Sequence, residues 1–205
     1  MDVKVKICGI TSVEDAEEAV EAGADMLGLM FYPDSPRHIS VEQAQTIERR
    51  LPPFIIRVGV FADQEPGDVF SAMHTCGLNL LQFHGRETPE YCRQFGIMTM
   101  KAFRVRDAES LKEIPQYPTD AYLLDSHVAG QAGGTGKTFN WELAAEAGSF
   151  CKPVFLAGGL TPENVAEAVR TVRPFGVDVS SGVEQSPGKK DPKKMRDFIA
   201  AVRSA

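Results

Sequence analysis

No apolar run in the 205-residue chain approaches the roughly 20 residues that a membrane helix requires. The opening Met1-Asp2-Val3-Lys4-Val5-Lys6 enters an alternating strand pattern directly and contains no secretory hydrophobic segment, so a cytoplasmic location is expected. The four cysteines, Cys8, Cys76, Cys92 and Cys151, show no C-x-x-C spacing and are expected to be thiols rather than disulfides. The four histidines, His38, His74, His84 and His127, lack metal-ligand spacing, and no metal is expected. Basic residues are outnumbered: the net charge of −6 disfavours nonspecific nucleic-acid binding, although a few local cations and amides can still hold a small anion. Long linkers and low-complexity segments are also missing, and residues 1–205 are read as a single domain.

What is present is an alternation. Apolar runs at Val3–Cys8, Met26–Phe31, Ile55–Phe61, Leu80–Phe83, Met98–Phe103, Ala121–Leu124, Val154–Ala157 and Gly176–Val179 read as strands covered on both faces. Helix starts follow them. Thr11 with Glu14 and Ser40 with Gln43 have capping-box spacing. Thr88-Pro89, Thr161-Pro162 and Asp191-Pro192 each place a capping oxygen before a proline at the first helical position. Eight strand–helix units predict a compact (β/α)8 TIM barrel of eight parallel strands with surrounding helices. An open doubly wound sheet, which usually has fewer strands, is the rival.

The segment "GQAGGTGKTFNW" at Gly130–Trp141 ends like a nucleotide-binding P-loop but lacks its first glycine. G-x-x-x-x-G-K-[ST] requires one at position 131, where Gln131 stands. Asn140 reads as the cap of the following helix, and the segment reads as a loop that covers an active site.

In (β/α)8 enzymes the reacting groups sit at the C-terminal ends of the strands. The polar residues there are Cys8, Gln82, His84, Arg104, Asp125 and Asp178. Phosphate binding is expected after the seventh and eighth strands. Those positions hold Gly158-Gly159 and Ser181-Gly182, where small residues let the backbone approach an anion. A buried cysteine usually only packs. An aspartate after three apolar residues, as in "YLLDS", needs a partner or a cleft.

Taken together, "KICGIT" (Lys6–Thr11), "SPRHI" (Ser35–Ile39), "VGVF" (Val58–Phe61), "LQFHG" (Leu81–Gly85), "LLD" (Leu123–Asp125), "GGTGKTFNW" (Gly133–Trp141), "LAGGLTPENV" (Leu156–Val165), "GVDVSSGVE" (Gly176–Glu184) and "PGKKDPKK" (Pro187–Lys194) carry a resemblance from end to end. The chain resembles the phosphoribosylanthranilate isomerase family of tryptophan biosynthesis, with Phe83 where that family commonly has leucine. The resemblance implies a (β/α)8 barrel that converts N-(5-phosphoribosyl)anthranilate into 1-(2-carboxyphenylamino)-1-deoxyribulose 5-phosphate by an Amadori rearrangement. It implies Cys8 as general base, Asp125 as general acid and Arg37 as the group holding the anthranilate carboxylate. The turns at Gly158-Gly159 and Ser181-Gly182 would bind the phosphate. Gln82, His84, Gly134, Lys137 and Asp178 are further candidates for substrate or loop contacts. The expected partner is this small phosphosugar-anthranilate alone, with no cofactor, nucleic acid or membrane, in a monomer or homodimer. A related isomerase of histidine biosynthesis, a noncatalytic phosphate-binding barrel and a nucleotide hydrolase are the alternative readings.

The chemistry sets a requirement of its own. Asp125 must be protonated to open the furanose ring, whereas Cys8 must be at least partly thiolate to remove a carbon-bound proton. One electrostatic environment favours only one of these states, so the two groups are expected to be separated across the substrate.

Overall fold

A computed structural model describes residues 2–125, 141–146 and 150–205. Eight parallel strands close on themselves in chain order. They are β1 (Lys4–Cys8), β2 (Met26–Met30), β3 (Ile56–Phe61), β4 (Leu80–Phe83), β5 (Met98–Arg104), β6 (Ala121–Asp125), β7 (Val154–Ala157) and β8 (Gly176–Val179). The closing pair β1–β8 sets Lys6 opposite Asp178 and Ile7 opposite Val179. These segments match the apolar runs to within one residue at either end.

Because successive strand residues face opposite ways, each strand feeds two cores. One core lies inside the barrel, built from Cys8, Met26, Val58, Val60, Leu80, Met100, Ala102, Ala121, Leu123, Phe155 and Ala157. The larger one lies between strands and helices and includes Ile7, Leu27, Leu81, Phe83, Leu124 and Leu156. Strand β8 adds Gly176 and Asp178 to the inner wall, and β1 adds Lys6 in phase with Cys8.

The helices are α1 (Val13–Glu21), α2 (Val41–Glu48), α3 (Pro66–Thr75), α4 (Pro89–Cys92), α5 (Trp141–Glu146), α6 (Val165–Val172) and α7 (Pro192–Arg203). Ser40 and Gln43 form the expected capping box, and Thr88 and Asp191 cap α4 and α7. Two expectations are corrected. Ser12, not Thr11, caps α1 by accepting from the Asp15 N–H at 3.1 Å. The Thr11 hydroxyl is occupied elsewhere, donating to the Gly188 carbonyl at 2.5 Å. The helix expected directly behind Thr161-Pro162 begins only at Val165, because Thr161 donates its N–H to the Asn164 side chain and closes a turn first.

The repeat is also less even than eight complete strand–helix units. Between β5 and β6 the chain makes two short 3-10 turns, at Ala108–Leu111 and Ile114–Gln116, in place of an α-helix. After β8 a 3-10 turn (Ser181–Val183) leads into a small antiparallel hairpin of β9 (Glu184–Ser186) and β10 (Lys189–Lys190). The hairpin is held to the start of α1 by the Thr11–Gly188 bond and by the Lys190 N–H, which donates to Asp15 at 2.9 Å. Among the described residues no helix is long and apolar enough to cross a membrane.

Candidate active site

The C-terminal strand ends bring Cys8, Gln82, His84, Asp125 and Asp178 to one rim. Cys8 ends β1 with 5% of its surface exposed. Two residues earlier on the same inner face, Lys6 is fully buried, and its ammonium donates to Asp178 at 2.7 Å. An isolated ammonium at this depth would lose its hydration without compensation, and the β1–β8 register supplies the carboxylate. Burial pulls the Lys6 ammonium down, but Asp178 and then the Cys8 sulfur outweigh it and hold Lys6 above its ordinary value. For Cys8, burial is the largest influence and pushes the thiol up. Lys6 pulls it back, Asp178 opposes that pull and Lys190 adds a smaller downward influence, and the thiol stays above its ordinary value.

A second charged cluster stands beside this one. Arg37 reaches across from the segment between β2 and α2 and grips Glu184 with two bonds, Nε at 2.7 Å and Nη2 at 2.6 Å. Glu184 also accepts from Lys190 at 2.8 Å. The same buried Lys190 ammonium donates to the Cys8 carbonyl at 2.6 Å and the Ser180 carbonyl at 3.3 Å. One cation thus ties together the end of β1, the turn after β8 and the carboxylate that holds Arg37. Burial pushes Glu184 up, but Arg37 and Lys190 together hold it below the usual carboxylate range.

The Asp125 end is built differently. Its carboxylate lies 3.3 Å from His84 Nε2, with side chains 19% and 26% exposed respectively. Behind His84, the Gln82 amide nitrogen lies 3.1 Å from Nδ1. When that amide donates, Nδ1 is the acceptor, so the ring proton sits on Nε2 and faces Asp125. Gln82 lies inside the barrel wall with 1% exposure, and its carbonyl oxygen has no partner among the described residues. Arg104, at the end of β5, is register-paired with Asp125 and exposed.

Between these ends lie the two small-residue turns. Gly158 (φ 87°) and Gly159 (φ 64°) both adopt left-handed backbone, which glycine takes without strain. Gly182 packs directly on the Leu160 carbonyl with no room for a Cβ, so the turns after β7 and β8 are in contact. The buried Ser180 hydroxyl has no partner among the described residues. Backbone N–H groups at such turns can receive an anion.

Gly134, Lys137 and the Asn140 cap lie outside the described residues. Lys6, Glu184 and Lys190 also belong to the site, and position at a strand end does not single them out. The phase of Lys6, two residues before Cys8 on an otherwise apolar inner face, is the signal that could have found it.

Residues 5–201 match the family model described as N-(5'phosphoribosyl)anthranilate (PRA) isomerase. A curated relative from Trichlorobacter lovleyi, N-(5'-phosphoribosyl)anthranilate isomerase, is 54% identical over 203 residues, covering 99% of each chain. The crystal structure of phosphoribosyl anthranilate isomerase from Thermotoga maritima superposes with a TM-score of 0.94 at 44% identity, covering 99% of this chain and 100% of that one. A second such structure, solved in complex with reduced 1-(o-carboxyphenylamino)-1-deoxyribulose 5-phosphate, gives a TM-score of 0.90 at 42% identity with the same coverage.

Proposed function

The chain belongs to the N-(5′-phosphoribosyl)anthranilate isomerase family and acts as an isomerase in tryptophan biosynthesis; from that premise we propose how its residues divide the work. Asp125 gives its proton to the furanose ring oxygen of N-(5-phosphoribosyl)anthranilate. The bond from that oxygen to C1 breaks, its electron pair stays on oxygen, and the nitrogen lone pair completes a protonated Schiff base. Cys8, as thiolate, then takes the C2 proton. The C2–H pair becomes the C1=C2 double bond, and the C=N electrons return to nitrogen. The resulting enolamine tautomerises to the aminoketose, and solvent exchange returns Asp125 and Cys8 to their starting protonation states. This is an Amadori rearrangement with no net oxidation.

The observation that carries this reading is the placement of Cys8 and Asp125 at the same rim, on strands separated by β7 and β8. The phosphate fits between them at the paired turns of Gly158-Gly159 and Ser181-Gly182, which β7 and β8 carry. Arg37 offers the anthranilate carboxylate its Nη1 side, because Glu184 takes the Nε–Nη2 edge. The test follows loss of the fluorescent substrate with purified wild type, Cys8→Ala and Asp125→Asn. Turnover by wild type and its loss in both folded variants support the assignment; near-normal turnover in either variant removes that residue from its role.

A further inference from the structure

An anionic sulfur inside a barrel wall needs a counter-charge, and burial alone pushes Cys8 toward the neutral thiol. Among the described residues three cations act on the sulfur: Lys6 from its own strand, Lys190 from β10 and Arg37 from the segment after β2. Two carboxylates face them, Asp178 from β8 and Glu184 from β9. Arg37 and Lys190 are both committed to Glu184, and Lys190 also to two carbonyls. Lys6 has a single carboxylate, Asp178, and its ammonium points up the inner face toward the Cys8 side chain.

The neighbouring strand shows the same arrangement from outside. Gly28 is the β2 register partner of Cys8. A Cβ placed on it would lie 2.7 Å from the Cys8 sulfur and 2.9 Å from the Lys6 nitrogen. Both atoms crowd the space a side chain would need, so the wall is glycine where sulfur and ammonium meet. A buried Lys–Asp pair adds little stability over an apolar pair of similar volume. Stability alone therefore does not account for a lysine beneath this particular cysteine.

We infer that Lys6 is a positioning residue that acts as the counter-cation of Cys8: its buried ammonium, bonded to the Asp178 carboxylate and lying beside the Cys8 sulfur, offsets part of the cost of forming the thiolate there. Asp178 orients the ammonium and at the same time moderates its pull. The inference rests on Cys8 being the base, but the charge pairing itself is measurable without turnover.

The experiment follows iodoacetamide modification of Cys8 against pH, read by peptide mass, in a Cys151→Ser background because Cys151 is exposed. Cys76 and Cys92 interfere little, since burial pushes their thiols up to about 11 and about 12. Lys6→Met should move the Cys8 midpoint upward by roughly one to three pH units, as expected on losing an adjacent opposite charge. Asp178→Asn should move it downward. The double variant should lie above Asp178→Asn alone, and this comparison carries the test if Lys6→Met does not fold. Where both can be measured, kcat near neutrality should fall at least about tenfold in Lys6→Met, with KM changed far less. A structural role alone would not shift the midpoint in opposite directions. Equal midpoints with and without Lys6, or shifts of the same sign for Lys6→Met and Asp178→Asn, overturn the inference. Turnover retained in Cys8→Ala would instead remove the base assignment and leave the measured pairing standing.

Discussion

The two ends of the rim are built from different materials. At the β1 end, Cys8 is 5% exposed and sits among buried charges: Lys6 with Asp178, and Lys190 with Glu184 and Arg37. At the β6 end, Asp125 is partly open to solvent and faces a histidine backed by a glutamine. Dense burial makes each nearby cation count strongly toward an anion, whereas solvent would screen it. At the β1 end the cations therefore offset part of the cost of an anion, although burial still holds Cys8 above its ordinary value. Near the Asp125 end the buried Lys101 ammonium is turned to the Phe83 and Gly85 carbonyls on either side of His84 and to the Glu87 carboxylate. In the proposed mechanism the protonated aspartate and the ionised cysteine stand on strands separated by β7 and β8.

The largest expected effect comes from removing either reacting group. Cys8→Ala and Asp125→Asn should each lower kcat/KM by roughly 10²–10⁴ while leaving the circular dichroism spectrum unchanged. Unequal losses would show which of the two steps limits the rate.

Glu184→Gln attacks the base end through its scaffold. It removes the carboxylate shared by Arg37 and the fully buried Lys190, and breaking a buried pair in this way costs about 3–5 kcal/mol. Urea unfolding would measure the loss. The pH sign follows from the depressed value of Glu184. Its stabilisation is present above the unfolded carboxylate value and is lost as pH falls through the lower folded value. The variant should accordingly show a flatter acid limb than wild type, and an unchanged limb would mean that Glu184 is not held as an anion.

Arg37→Ala should chiefly raise KM, by about ten- to a hundredfold, as for a lost hydrogen bond to a charged group. Steady-state titration with substrate would measure it, and an unchanged KM would exclude a carboxylate contact.

The smallest effect belongs to the Asp125 end. His84→Asn should reduce kcat by about tenfold or less, the range of one hydrogen bond, with little change in unfolding midpoint. A loss as large as that of Asp125→Asn would break the comparison, because the imidazole would then itself be moving a proton.

Much of this organisation was legible along the chain. The β-branched and leucine-rich runs fall on the observed strands to within a residue, because strands buried on both faces must be apolar almost throughout. Ser40-x-x-Gln43 was legible as a cap because both partners lie within one turn. Thr11 was misread for the opposite reason. Its hydroxyl is taken by Gly188, 177 positions away, and Ser12 inherits the cap. The missing α-helix after β5 has a local cause: Asp107 bonds to Ser110 and Pro115 lies within the second short turn, and both favour tight turns over a continuous helix.

The site divides in the same way. Cys8, Asp125, Arg37 and the glycine turns were recognisable by residue type, position at strand ends and family order. Lys6, Glu184 and Lys190 stood inside the same quoted motifs, yet a charged residue in an alternating segment ordinarily faces water. The sequence by itself therefore determined the strand–helix alternation and which polar residues stand at the strand ends, both of which depend on local pattern. Only the tertiary structure decided their charge environment. Closure of β8 against β1 brings Asp178 to Lys6, and the hairpin after β8 brings Glu184 and Lys190 to Arg37 and Cys8. These pairings join residues as far as 182 positions apart, and burial makes their charges act on one another more strongly than they would in water.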